Sequence, residues 1–124
     1  LVRQAAPHIA VMASGDEHLL TSFVIGTEGS IVSLAALIPE VVVALYEAVR
    51  DGDLQAAREA HQVIYPLAHA IYSRYPPSHA TARLKTCLKL TGALESDRVR
   101  LPIGRLGNDE IEALQQAIAG AGLQ

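Results

Sequence analysis

The 124-residue sequence has no tryptophan, one phenylalanine and one cysteine. A single thiol excludes an internal disulfide, which fits a reducing compartment. The shortage of large aromatics leaves no platform for stacking bases. A net charge of −3, without any run of Lys or Arg, argues against a nucleic-acid partner. No apolar run approaches the ~20 residues needed to cross a bilayer. The stretch LVRQAAPH at the start has no apolar region followed by a small-residue cleavage site. The expectation is a soluble, cytoplasmic protein with no membrane partner. What the chain does have is aliphatic surface to bury: 50% of its residues are hydrophobic, enough for one domain with a modest core.

The informative stretch is Ser14 to Pro39, SGDEHLLTSFVIGTEGSIVSLAALIP. The apolar run His8–Ala13 predicts a strand that ends in the polar turn Ser14-Gly15-Asp16-Glu17. That turn is expected to cap a short helix through Leu19, Leu20 and Phe23. A second strand, Ser30–Ala35, is predicted after Gly26-Thr27-Glu28-Gly29. Short apolar runs bounded by Gly and Asp, with a helix between them, are the pattern of a βαβ unit with parallel strands. In such units ligands collect beyond the carboxyl ends of the strands. Pro39 then suits the first turn of a helix with Glu40 beside it, Val42, Leu45, Tyr46 and Val49 form a stripe, and Gly52 stops it. From about Asp53 to Tyr75, Leu54, Ala57, His61, Ile64, Ala68, Ile71 and Tyr75 recur at helical spacing, with Pro66 expected to kink the helix. Ser78 is expected to cap the next helix, whose apolar face would be Leu84, Cys87, Leu88 and Thr91. Residues 93–107 read as loop, and Asn108 is expected to cap a last helix carrying Ile111, Leu114, Ile118 and Ala121.

The series SGDE after a strand, GTEGSIVS into the next, and then ALIPE resembles the last two βα units of the dihydrodipicolinate synthase / N-acetylneuraminate lyase family. DGDLQAAREAHQVIYPL is similar to that family's first extension helix with its internal proline. ARLKTCLKLTG and VRLPIGRL resemble its closing helix and Arg-x-Pro stretch. The resemblance implies an α/β fold: the last two βα units of a TIM (β/α)8 barrel (1–50), followed by an all-α carboxyl-terminal helical extension (51–124). The chain alone would be mostly α. A barrel needs about 250 residues, and two parallel strands cannot close one. The sequence, which opens at Leu1 in what looks like the tail of a helix, therefore reads as the back part of something larger.

By the same resemblance the parent is a class I lyase or aldolase. It would hold pyruvate or another 2-oxo acid as a Schiff base on a lysine, without cofactor or metal, and assemble as a homotetramer. That lysine, the proton-relaying tyrosine and the Thr-Thr pair that holds the carboxylate are expected upstream, so no catalytic residue is expected in this chain, which alone would be inactive. Five positions match substrate-pocket positions of the family: Gly15, Asp16, Glu17, Ile31 and Ser33. Asp16, Glu17 and Ser33 match residues that help read the hydroxyls of the longer substrate in sialic-acid-cleaving members. Leu34-Ala35-Ala36 stands where many members have Thr-Ala-Asn, which leaves the substrate open.

Plainer readings stand beside these. Ser14–Glu17 suits a helix N-cap with first-turn carboxylates equally well, and Ile31 suits a core strand. On an extended strand, Ile31, Ser33 and Ala35 would share one face. Lys85 and Lys89 read as surface lysines, and His61 and His69 are too far apart on one helix for a shared metal. Cys87 reads as a buried small hydrophobe, and Gly26-x-x-Gly29 as a turn, since it precedes a strand instead of opening a helix. The alternative to an aldolase part is a non-catalytic helical module that packs on a partner, motivated by the absence of any nucleophile or acid–base pair.

Overall fold

The computed structural model describes residues 2–6 and 8–123; Leu1, Pro7 and Gln124 lie outside the described residues, and with them the start of the chain and one residue of the expected N-terminal helix tail. Two compact units follow one another, one up to Ile64 and one from Tyr65.

The first unit begins with α1 (Val2–Ala5), followed by β1 (Met12–Ala13), a 3-10 turn (Asp16–His18) and α2 (Leu19–Ile25). Next come β2 (Gly29–Ser30), a second 3-10 turn (Ser33–Ala36), α3 (Pro39–Asp51) and the start of α4 (Leu54–Tyr72). β1 and β2 are adjacent and parallel, with Met12 opposite Gly29 and Ala13 opposite Ser30. The expected pairing is therefore present, but both strands are far shorter than His8–Ala13 and Ser30–Ala35. The amides of His8 and Ile9 both donate to the Ala5 carbonyl, which folds them back on α1 and prevents an extended course. On the other side, Val32 is the last extended residue (φ −135°, ψ 144°) before the chain tightens at Ser33. Ile31, Ser33 and Ala35 consequently do not share one strand face.

Helices supply the burial. Leu19, Phe23, Leu34, Ile38, Val42 and Leu45 are buried together with Val11 and Ala13. The Phe23 and Tyr46 rings meet edge to face, centroids 5.3 Å apart at 76°, an arrangement favoured by the ring quadrupoles. α3 runs as its sequence indicates, with Pro39 in the first turn and Gly52 ending it at φ +76°. That left-handed conformation lets the Gly52 amide reach the last carbonyls without a Cβ penalty. Asp53 is the cap of α4, its Oδ1 accepting the Ala56 amide at 3.0 Å.

In the second unit α4 continues through Pro66 and ends at Tyr72, three residues short of expectation. Pro76 disfavours helical geometry in the residue before it, and Tyr75 is 91% exposed instead of closing the apolar stripe. A 3-10 turn (Pro77–His79) leads into α5 (Ala80–Leu90), so Ser78 lies inside that turn and is not the cap. No side-chain cap bond is made at the start of α5, or at the start of α6 (Asn108–Gly120), where Asn108 is already helical.

The buried face of α5 is Ala82, Arg83, Thr86 and Cys87, rotated about one position from the expected stripe of Leu84, Cys87, Leu88 and Thr91. The Arg83 side chain is fully buried. Its Nη1 donates to the Ile71 and Arg74 carbonyls at 3.2 and 3.0 Å. Its Nη2 donates to the Pro76 carbonyl at 3.2 Å, and its Nε to Glu110 Oε1 at 2.9 Å. One guanidinium thus caps the end of α4, where helical carbonyls lack partners, and ties α5 to α6. Residues 93–107 are irregular, as expected. Lys89 pairs with Asp97 at 3.1 Å, and that hydrogen bond holds the Asp97 carboxyl below its ordinary range. Lys85 donates to the Arg98 carbonyl.

Cys87 has no exposed surface, and burial pushes its thiol up to about 12. An unfolded chain would ionise this thiol near pH ~8.5. Below that value both states keep the proton and the thiol adds no pH dependence. Between there and about pH 12 only the unfolded state loses it, so stability falls with rising pH by about 1.4 kcal/mol per unit. Denaturant titrations from pH 8 to 10 should show this slope as the difference between the wild type and Cys87→Ala. Equal slopes in the two proteins would contradict it.

Candidate functional site

The parallel pair delivers two loops side by side at the carboxyl ends of its strands. Past the last ladder pair, the Ile31 amide donates to the Ala13 carbonyl at 3.0 Å. Three residues further along each loop, Asp16 Oδ1 accepts the Leu34 amide at 2.7 Å in a buried hydrogen bond. These two rungs bracket Ser14 and Gly15 on the first loop and Val32 and Ser33 on the second.

Gly15, Asp16, Ile31 and Ser33 lie at or within this bracket and Glu17 one residue beyond it, with different burial. Asp16 is 7% exposed and Ile31 75%; Ser33 is exposed, and Gly15 and Glu17 are half-buried. Gly15 adopts φ +90°, ψ 97°, a region that L side chains rarely enter. This turn lets the chain leave β1 and fold at once into the 3-10 turn, where the His18 amide donates to the Gly15 carbonyl at 3.0 Å. The expected role of Ser14–Glu17 as a side-chain cap of α2 is not what forms, because neither the 3-10 turn nor α2 has a side-chain cap bond.

Asp16 instead caps a distant element. Val32, the residue preceding the second 3-10 turn, has no polar side chain to offer its amides. The Asp16 carboxylate, 18 residues earlier, takes the amide of Leu34. An acid following Ser-Gly at a strand end signals capping of some kind, but nothing local identifies the recipient as Leu34. Arg83 was equally unmarked, because an arginine among lysines on a helix reads as solvated.

Among the described residues, no group of three or more His, Cys, Asp or Glu could hold a metal ion, and no helix is long and apolar enough to cross a membrane.

The model of the Dihydrodipicolinate synthetase family matches residues 1–121. The 4-hydroxy-tetrahydrodipicolinate synthase of Thermomicrobium roseum is 32% identical over 119 residues, covering 96% of this chain and 38% of that protein. The N-acetylneuraminate lyase of Mediterraneibacter gnavus is 29% identical over 122 residues, covering 94% of this chain and 37% of that protein. Among solved structures, the dihydrodipicolinate synthase from Thermotoga maritima aligns with a TM-score of 0.85 at 25% identity, over 100% of this chain and 40% of that one. The chain spans about two-fifths of the length of the relatives it matches.

Proposed function

Because the chain belongs to the dihydrodipicolinate synthetase family, we propose that it is the carboxyl-terminal part of a class I lyase or aldolase acting on pyruvate or a related 2-oxo acid. In this reading the parent's lysine condenses with the oxo group and releases water. The protonated imine takes up the electron pair of a C–C bond that breaks, or loses a proton from the adjacent carbon and, as an enamine, gives that pair to an aldehyde carbonyl as the bond forms. That lysine lies in the part of the barrel outside this segment, and the segment alone is inactive.

The contribution of this chain is one wall of the pocket, together with the helical extension. Gly15, Glu17, Ile31 and Ser33 supply the wall's surface, and Asp16 its internal tie. Exposed Ile31 offers an apolar contact beside the 2-oxo acid, while Glu17 and Ser33 offer polar groups to the hydroxyls of a longer partner. The parent assembles as a cytoplasmic homotetramer, which sedimentation of the complete protein checks. The single observation that supports the reading is the family match across residues 1–121.

Borohydride reduction in the presence of labelled pyruvate tests it, using protein expressed from the complete reading frame. The expected result is one covalent label on a lysine outside these 124 residues. A label on Lys85 or Lys89, or no label with any 2-oxo acid, would overturn the proposal.

A further inference from the structure

We propose that Asp16 is a positioning residue: its carboxylate fixes the loop after β2 to the loop after β1 and so sets the spacing of Glu17, Ile31 and Ser33 across the pocket wall. The inference rests on the aldolase reading for its functional part and on the hydrogen-bond geometry for its structural part.

Three observations carry it. Among the described residues of the first unit Asp16 is the one buried charged side chain, and a carboxylate withdrawn from water needs strong donors in return. The bond it makes is short, 2.7 Å from the Leu34 amide to Oδ1, as expected where the acceptor is ionised. Finally, the backbone ladder reaches only as far as the Ile31 amide on Ala13. Without Asp16 the Leu34 amide loses the acceptor that ties the second loop to the first beyond that rung, although the buried Leu34 side chain still anchors the turn. Ser33 adjoins Leu34, and Glu17 adjoins Asp16. The tie therefore joins the two segments that carry the polar candidates, and its length sets their separation.

A residue that reads substrate directly and one that positions its neighbours respond differently to Asp16→Asn. Asparagine keeps an oxygen where the Leu34 amide needs one but gives up the charge; Asp16→Ala removes both. Amide hydrogen exchange at Leu34, measured on the complete protein, reports the tie whatever the protein's activity. Protection at Leu34 should fall by about ten- to a hundredfold in Asp16→Ala, remain close to wild type in Asp16→Asn, and leave Ile31 unaffected in both. In turnover, KM for the aldehyde partner should rise at least several-fold in Asp16→Ala and be rescued in Asp16→Asn, with imine trapping of the 2-oxo acid retained.

Loss of substrate affinity in Asp16→Asn equal to that in Asp16→Ala, with Leu34 still protected, would overturn the inference in favour of direct contact. Unprotected Leu34 in the wild type would overturn it too, and needs no variant that folds. Failure of the wild type to trap any 2-oxo acid would end the aldolase reading, while the exchange data would still decide whether the tie exists.

Discussion

Replacing Arg83 by alanine is expected to lower the unfolding free energy by about 3–5 kcal/mol, the usual cost of breaking a buried ion pair from one side. Four acceptors lose their donor together: the Ile71, Arg74 and Pro76 carbonyls and Glu110 Oε1. Glu110 keeps 17% of its side chain exposed and recovers some hydration, but the carbonyls are held by the turn that follows α4. The position also favours a cation, since the carbonyl end of a helix carries partial negative charge. Arg83→Lys should recover little of the loss, because a single ammonium cannot span acceptors on three segments as a planar fork does. Arg83→Met separates packing from hydrogen bonding: it refills much of the volume and should still cost most of the total. Denaturant midpoints of the complete protein and its variants measure this. A loss below about 1 kcal/mol in Arg83→Ala, the scale of an exposed pair, would show that the guanidinium is not the fastener described.

Leu34→Ala should cost about 2–5 kcal/mol, the range for truncating a fully buried leucine. Leu34 has no exposed surface and is buried along with Leu19, Ile38 and Leu45. Its side chain anchors the second 3-10 turn while its amide is held by Asp16. The substitution removes the anchor and leaves the amide, so Leu34→Ala and Asp16→Ala should not be additive when combined. A double-mutant cycle on the denaturation midpoint measures the coupling. Strict additivity would show that side chain and amide act independently in holding this loop.

The helices were legible because their periodic burial is local information. Pro39, Gly52 and the stripe Val42/Leu45 define α3, and Asp53 marks the beginning of α4, without knowledge of anything distant. The strands were legible as partners but not in length. An apolar run such as HIAVMA says that residues are buried, whereas the extent of a ladder depends on where the neighbouring chain goes. Here Ala5 captures His8 and Ile9, and Asp16 bends the exit of β2. The buried face of α5 differs from the one hydrophobicity indicates for a related reason. Leu84, Leu88 and Cys87 define one arc, Ala82, Thr86 and Cys87 an overlapping one, and hydrophobicity alone favours the first. Only the set of acceptors waiting at the end of α4 turns the helix so that an arginine points inward.

Of the proposed wall, the sequence indicated the pair of loops at the carboxyl ends of adjacent parallel strands, which the fold contains. The sequence marked Asp16 and Glu17 together, as neighbouring carboxylates. The fold distinguishes them: Asp16 is buried on a backbone amide and Glu17 half-buried beside it. Adjacent residues of the same chemical type diverge when one of them is needed to hold the chain.

The two rungs that bracket the loops are made by main-chain atoms and one carboxylate, none of which belongs to Ile31 or Ser33 side chains. Exchanging either of those two exposed side chains therefore leaves both rungs, and the frame they make, in place. What these loops present to their surroundings and what keeps them in place reside in separate sets of atoms, so point changes of the first kind spare the second.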